Sequence, residues 1–250
     1  MPVISSDAFV LRCYKVGETS KVVVLLTRDR GKVRAVAKGA RGARSRYQSA
    51  LEPLSEVRAS LYGRQGAELF RLGECELLRS AFSAGQRGLE TALTLSYFAE
   101  LLDAFAQEGE AEDAVYRLAL AVVRAAEEGT SAMLLARYLE AWLLRLHGVY
   151  PPLDRCAGCG GALPAGDLRY HAASHGFVCD RCGLASGPVI PSRGRRALEE
   201  MFRRPPLSLG GLPEDTACLE GFHHDLVSRH LERDLRSYRV LQDVARGNAS

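Results

Sequence analysis

Residues 19–46 read TSKVVVLLTRDRGKVRAVAKGARGARSR. The run 21–27 is dominated by valine and leucine, and in 32–38 Lys32, Arg34 and Lys38 alternate with Val33, Ala35 and Ala37. Between them, Arg28-Asp29-Arg30-Gly31 ends on a residue that supplies positive φ, so the two runs predict strands joined as a hairpin. Successive strand side chains point to opposite faces, so the three cations share one face and the apolar residues the other. Similar runs occur at 8–14, 55–62 and 68–72, the last two separated by Gly63-Arg64-Gln65-Gly66. Five short strands within the first 80 residues predict a partly open OB-fold barrel, with a small SH3-like barrel fitting almost as well.

After Ser80 the apolar period becomes helical. One stripe runs through Leu89, Leu93, Tyr97, Leu101, Leu102 and Phe105, a second through Val115, Leu118, Val122 and Val123, and a third through Leu134 to Leu146. Their short connections predict antiparallel neighbours in a bundle. A last helix is expected over 215–245, preceded by a Pro- and Gly-rich loop at 204–213. The fold class is thus α+β. An OB-fold domain at 1–80 precedes an α-helical domain at 81–250 that carries a zinc ribbon or knuckle insert at about 153–190.

The chain has 250 residues, 47% of them apolar, which is enough to fill a real core. Its 33 Lys and Arg against 30 Asp and Glu give a formal net charge of +3, but the distribution is uneven. Residues 1–80 carry +7, 81–155 carry −5 and 156–250 carry +1. Within 28–46, eight basic residues (Arg28, Arg30, Lys32, Arg34, Lys38, Arg41, Arg44 and Arg46) face one acid, Asp29. Such a patch on an OB barrel predicts binding to a phosphate backbone by counterion release, with little sequence readout. Tyr14 and Tyr47 are the expected stacking surfaces for unpaired bases.

No run free of charged residues exceeds 11 positions, so no membrane span is expected, and no secretory signal is visible. A cytoplasmic, reducing location follows, where paired cysteines favour metal over disulfides. Cys156-Ala157-Gly158-Cys159 and Cys179-Asp180-Arg181-Cys182 are two CxxC pairs separated by 19 residues. That spacing predicts one structural Zn²⁺ in a closed Cys₄ site, without an open position for catalysis. His171 and His175 are weaker ligand candidates. Cys13, Cys75 and Cys218 are expected to be small buried hydrophobes, and His223, His224 and His230 ordinary helix-surface residues. No GxxxxGK[ST], GxGxxG, GxSxG, HExxH or deaminase signature is present, so the reading is of a protein without enzymatic activity.

The combination of VLRCYKVGETSKVVVLLTRDRGKVRAVAKGARGARSR, a helical segment, then CAGC and CDRC resembles the bacterial recombination mediator RecO family over essentially the whole chain. The resemblance implies a DNA repair protein, bacterial and nucleoid-associated. It implies binding to single- and double-stranded DNA, annealing of complementary strands, and action with RecR to load RecA onto DNA coated by the single-strand-binding protein SSB. It also implies a contact between the helical domain and the acidic C-terminal tail of SSB, for which Arg124 and Arg137 are the residues put forward. The alternative function is a zinc-ribbon RNA-binding or ribosome-associated factor. Whether a DNA path continues to Arg193, Arg195 and Arg196 is left open by the sequence.

Overall fold

A computed structural model of the chain describes residues 3–42, 45–64, 66–183 and 187–247. In chain order the strands and helices are β1 (Val3–Val16), β2 (Ser20–Thr27), β3 (Gly31–Ala37), β4 (Glu56–Tyr62), β5 (Phe70–Arg79), α1 (Phe82–Gly85), α2 (Leu89–Phe105), α3 (Asp113–Glu127), α4 (Ala132–Leu146), β6 (Leu168–His171), β7 (Gly176–Val178), β8 (Val189–Ile190), α5 (Ser192–Met201), α6 (Pro213–Ala217), α7 (Glu220–Leu231) and α8 (Arg236–Gly247). They fall into two compact units, one of Met1–Ala132 with Asp234–Ser250, the other of Met133–Arg233. Among the described residues no helix is long and apolar enough to cross a membrane.

In the first unit β1 to β5 form a closed barrel in the order β1-β2-β3-β5-β4. The expected partial opening is absent because β1 pairs with both β2 and β4. Residues 3–9 run antiparallel to β4 and 8–16 antiparallel to β2, with a register shift between Val10 and Arg12. Between the barrel strands, β3 and β5 pair parallel through Ala35↔Phe70 and Val36↔Arg71. This strand order is that of the OB-fold, and it removes the SH3-like alternative.

Strands β1 and β5 are longer than their apolar runs suggested. Ser5, Ser6 and Asp7, and likewise Cys75 and Glu76, are drawn into strand by ladder pairing with β4. Ala8, Val10, Val23, Leu25, Val33, Ala35, Leu61 and Leu72 fill the barrel. Val22, Val24 and Leu26 on the opposite side of β2 are buried as well. Cover on both faces explains its unbroken apolar sequence. Cys13 and Cys75 pack against the barrel core, and burial pushes both thiols up to about 11, far from an activated nucleophile.

Helices α2 and α3 lie against the outside of β1. Phe9 meets the ring of Tyr116 at 5.2 Å, and the Tyr116 hydroxyl donates to Glu56 at 2.8 Å. Arg79 joins Glu56 at 3.4 Å and Glu127 at 2.7 Å, tying the end of β5 to α3. Helix α8 packs on α2, with Tyr97 and Tyr238 ring centroids 5.7 Å apart. The Glu100 carboxylate accepts from the backbone N–H groups of Arg236 and Ser237 at 3.1 and 2.8 Å, so α2 supplies an N-terminal cap to α8.

The second unit is organised by α4, in which ten residues are buried, including Arg137 and Glu140. The three-stranded sheet β7-β6-β8 supplies Tyr170 and Phe177, whose rings lie 5.1 and 5.7 Å from Phe222 of α7. The three helices expected as one bundle are thus divided, α2 and α3 in the first unit and α4 almost wholly in the second. The single helix expected over 215–245 is also broken, into α6, α7 and α8. Glu232 ends α7 in the left-handed conformation at φ 54°, and Leu235 is buried before α8 begins. The expected loop at 204–213 holds one 3₁₀ turn, Pro206–Ser208.

The expectation that His223 is a surface residue is overturned. Its ring is fully buried, with Nδ1 3.0 Å from Glu140 Oε2 and Nε2 2.9 Å from the Tyr150 hydroxyl. Arg137 completes the row at 2.7 Å from Glu140 Oε1. Burial holds His223 below its ordinary value of 6.5, against the pull of Glu140. The unfolded chain then takes up a proton that the folded imidazole refuses, so stability present at neutral pH is lost as the pH falls below about 6.5. Thermal melts between pH 5 and 8 should show this slope for the wild type and a weaker one for His223→Gln. Glu140→Leu, which strips the nearer carboxylate from buried Arg137, should cost about 3 kcal/mol in urea denaturation. Melting unchanged by either substitution would contradict the network.

Candidate nucleic-acid interface and metal centre

The alternation read from β3 is present in space. Val33, Ala35 and Ala37 are buried, Arg34 and Lys38 are exposed, and Lys32 and Val36 are half-buried. The cations are not equivalent, however. Lys32 Nζ donates to the Asp103 carbonyl at 2.6 Å and lies 3.6 Å from its carboxylate, at the C-terminal end of α2. Asp103 also meets Arg12 at 3.2 Å; Arg28 pairs with Asp113 at 3.1 Å, and Arg34 pairs with Glu108. The acidic connection between α2 and α3 is laced to the strand by its backbone, with Lys32 N–H donating to Gln107 O at 2.8 Å and Gly109 N–H to Lys32 O at 3.1 Å.

Beyond that half of the strand the cations lie open. Lys38 is exposed, and Arg41 is exposed while donating to Gly17 O at 2.9 Å. Arg30 is half-buried in the β2–β3 turn, where its N–H donates to Thr27 Oγ1 at 3.1 Å. Arg46 spreads its guanidinium 5.0 Å from the Tyr47 ring centroid. Arg44 lies outside the described residues. Tyr14 is 43% exposed and presents a ring face, with Arg12 5.9 Å from its centroid.

Tyr47 must be corrected. It is 2% exposed, its hydroxyl donates to Leu72 O at 3.0 Å, and it belongs to the barrel core, so it offers no face to a base. Arg137 must be corrected likewise. At 2% exposure it is spent on Glu140 and unavailable to an acidic tail, whereas Arg124 on α3 is exposed. Arg195 is occupied by Glu199 and by the carbonyls of Pro164 and Leu153.

Sequence reading missed Arg64 and Arg71. They line a 680 Å³ groove with Lys38, Val36, Tyr62 and Leu69. The Gly63–Gly66 turn signalled a hairpin, but nothing in it announced which strand that hairpin would lie beside.

In the second unit Cys156, Cys159, Cys179 and Cys182 come together with all four Sγ atoms within 4.8 Å of one another. Cys159 Sγ and Cys179 Sγ are 3.9 Å apart. A tetrahedron with Zn–S bonds of about 2.3 Å has sulfur–sulfur edges of about 3.8 Å, so the donor set fits that ion. The first pair turns just after Arg155, which bridges to Ala162; the second follows β7. A Cβ on Gly158 would fall 2.9 Å from Cys182 Cβ, so glycine there lets the two turns close.

Backbone N–H groups, that of Cys179 foremost, lower Cys156 to about 6, as a thiolate ligand requires. Hydrogen bonds from the neighbouring sulfurs, that of Cys159 first, push Cys182 up to about 12. His171 is outside the cluster, its Nδ1 2.8 Å from Ser174 Oγ.

Comparison with known proteins settles the affiliation. The family model described as recombination protein O N terminal matches residues 1–81, and that described as recombination protein O C terminal matches residues 86–239. The chain belongs to the recombination protein O family. It is 36% identical over 242 residues to "DNA repair protein RecO" of Koribacter versatilis, covering 96% of this chain and 98% of that relative. The proteins of the same name from Pelotomaculum thermopropionicum and Desulforudis audaxviator are 34% and 36% identical, covering 96% of this chain in each case and 94% and 96% of theirs. The boundary between the two family models falls at the end of the barrel, immediately after β5.

The lacing of 107–110 along β3 makes a test of Gly31. Its φ is +60°, and a Cβ would lie 1.8 Å from Glu110 O. Gly17, at φ +57°, has nothing within 4 Å of the same position. Gly17→Ala should cost about 1 kcal/mol from backbone conformation alone. Gly31→Ala should cost at least about twice that in urea denaturation, since the carbonyl must also move. Equal losses would mean that the connection does not lie on the strand.

Proposed function

We propose that this chain is a DNA repair protein that binds single- and double-stranded DNA through the barrel domain at residues 1–80 and anneals complementary strands without a chemical step of its own. In this reading it works in the bacterial cytoplasm at the nucleoid. It acts with RecR to load RecA onto DNA coated by SSB, whose acidic tail meets the helical part of the chain, with Arg124 as a contact. The observation that carries the reading is the row of cations leading from β3 into the following loop, on an OB barrel in a chain of the recombination protein O family.

Lys38, Arg41, Arg44 and Arg46 hold phosphates first in this reading. Arg28, Arg30, Lys32 and Arg34 border the same path, where phosphate competes with Asp113, Asp103 and Glu108. The exposed pairs with Asp113 and Glu108 contribute at most about 1 kcal/mol each, so a polyanion that releases counterions can displace them, whereas the pair of Lys32 with Asp103 is largely buried and holds more firmly. Annealing follows from the same chemistry: two strands repel through their phosphates, and a cationic face shared between them removes that repulsion while the bases stay accessible. Tyr14 supplies a stacking face.

Lys38→Glu, Arg41→Glu and Arg44→Glu combined should lower affinity for single-stranded DNA by at least about 100-fold at moderate salt and slow annealing in parallel. Anisotropy across a salt series checks this, and unchanged binding at every salt concentration sinks the reading. Structured RNA added as competitor distinguishes DNA from RNA as the preferred ligand.

One structural Zn²⁺ held by Cys156, Cys159, Cys179 and Cys182 completes the proposal, supported by the sulfur spacing. The ion locks two turns that otherwise rest on short strands, and it has no open position for water. Cys159→Ser or Cys179→Ser should lose the metal and lower the melting temperature of the second unit, with DNA affinity changed only indirectly. Stoichiometric zinc in either purified variant would overturn the Cys₄ assignment.

A further inference from the structure

We propose that the acidic connection between α2 and α3, residues 107–113, is an autoinhibitory strap. It occupies Arg28 and Arg34 in place of phosphate and must lift from β3 before the barrel binds nucleic acid at full strength. The proposal rests on the reading of the barrel as a DNA-binding domain and concerns how that binding is held in check.

The strap carries Glu108, Glu110, Glu112 and Asp113 and no cation. Two of these acids meet a guanidinium of the basic hairpin: Arg34 pairs with Glu108, and Arg28 with Asp113 at 3.1 Å. A guanidinium presents the same fork to a carboxylate as to a phosphate, so both cations are engaged as a DNA backbone would engage them. The edge of β3 needs backbone partners, and a neutral segment would supply them equally well. The carboxylates at 108 and 113 are therefore a separate feature, one that removes cations from the surface. Exposed pairs add little stability, so their effect falls on the ligand.

The attachment is built to release. Among the described residues two backbone hydrogen bonds tie the strap to the strand, Lys32 N–H to Gln107 O at 2.8 Å and Gly109 N–H to Lys32 O at 3.1 Å. The four side chains of the two ion pairs are 46% to 58% exposed, so salt and competing anions reach them. Residues 107–111 are exposed, whereas Phe105 and Ala106 before them and Val115 and Tyr116 after them are buried and fix the ends. Gln107 N–H donates to Glu112 Oε2 at 2.8 Å, which closes the strap on itself and lets it move as one piece. Lys32 is not released with it, because its Nζ is held by Asp103 of α2 in a largely buried pair. A long polyanion that releases many counterions displaces both carboxylates at once, whereas a short one does not repay their loss.

The test uses the full chain and a fluorescent oligo-dT of about 25 nucleotides, titrated across a KCl series. Glu108→Gln with Asp113→Asn should tighten binding at least fivefold at low salt and steepen the salt slope by about 1.4, the share of two further phosphates on a single strand. Glu90→Gln with Glu128→Gln removes the same charge at exposed positions, at the ends of α2 and α3 opposite the strap and about 20 Å from it by helix length. That variant should stay within twofold of the wild type. Gly109→Pro changes no charge, but it removes a donor and cannot take the φ of +77° found there, so it should also tighten binding. Amide exchange in 107–111 should speed up when the wild type is saturated with the oligonucleotide.

If the Glu108/Asp113 variant binds like the wild type while the Lys38/Arg41/Arg44 variant loses binding, the strap is overturned and the barrel reading stands. If the wild type itself does not bind the oligonucleotide, both fall. Equal tightening by the Glu90/Glu128 variant would reduce the effect to net charge and overturn the strap. Exchange in 107–111 that stays unchanged or slows on DNA would overturn it as well. Should Gly109→Pro melt early, the Glu108/Asp113 variant, confined to side chains about half exposed, decides the matter.

Discussion

Two residue pairs hold the barrel shut between β3 and β5: Ala35 with Phe70, and Val36 with Arg71. Because β5 runs parallel to β3 only there, the remaining edge of β3 is left with unpaired N–H and C=O groups. Buried or half-buried backbone groups need partners. At Lys32 they are met by Gln107 and Gly109, so the connection between α2 and α3 is drawn onto the strand as a short extra rung. That backbone requirement decides where the acidic residues of the connection go, and hence which cations of β3 are neutralised.

The electrostatic consequence is a graded surface. The formal excess of residues 28–46 is large, but its first half is matched by Asp103, Glu108 and Asp113 from a stretch more than 60 residues away. The excess survives toward Lys38 and Arg41 and is reinforced by Arg64 and Arg71, which barrel closure carries to the same place. Net charge summed along the sequence therefore locates the cationic domain, while pairing in space determines where a polyanion meets least opposition.

Much of this is legible in the amino-acid sequence. The hairpin of β2 and β3, the two faces of β3 and the meeting of four cysteines all follow from local period and spacing, which survive folding unchanged. What was not legible depends on distant partners. Tyr47 beside a basic loop reads as a stacking platform until Leu72 O accepts its hydroxyl. Arg137 and His223 look like surface residues on apolar-striped helices until Glu140 and Tyr150 enclose them. The break at Glu232 has no glycine or proline to announce it; a left-handed glutamate is held there by the packing of Leu235 and by the cap that Glu100 gives to α8.

The route of the chain after Glu232 bears on how the molecule can be divided. Residues 133–233 are, in sequence, an insertion into the first unit, whose last helix arrives only after the other unit is complete. A fragment ending with the barrel, or even with α3, would lack α8 and leave Glu100 without the N–H groups it caps and Tyr97 without Tyr238. Cut after β5, it would also bare Phe9 and strand Glu56 and Arg79 without Tyr116 and Glu127. During synthesis, the face of α2 must therefore wait for the final helix, and the first unit to begin folding is the last to be finished.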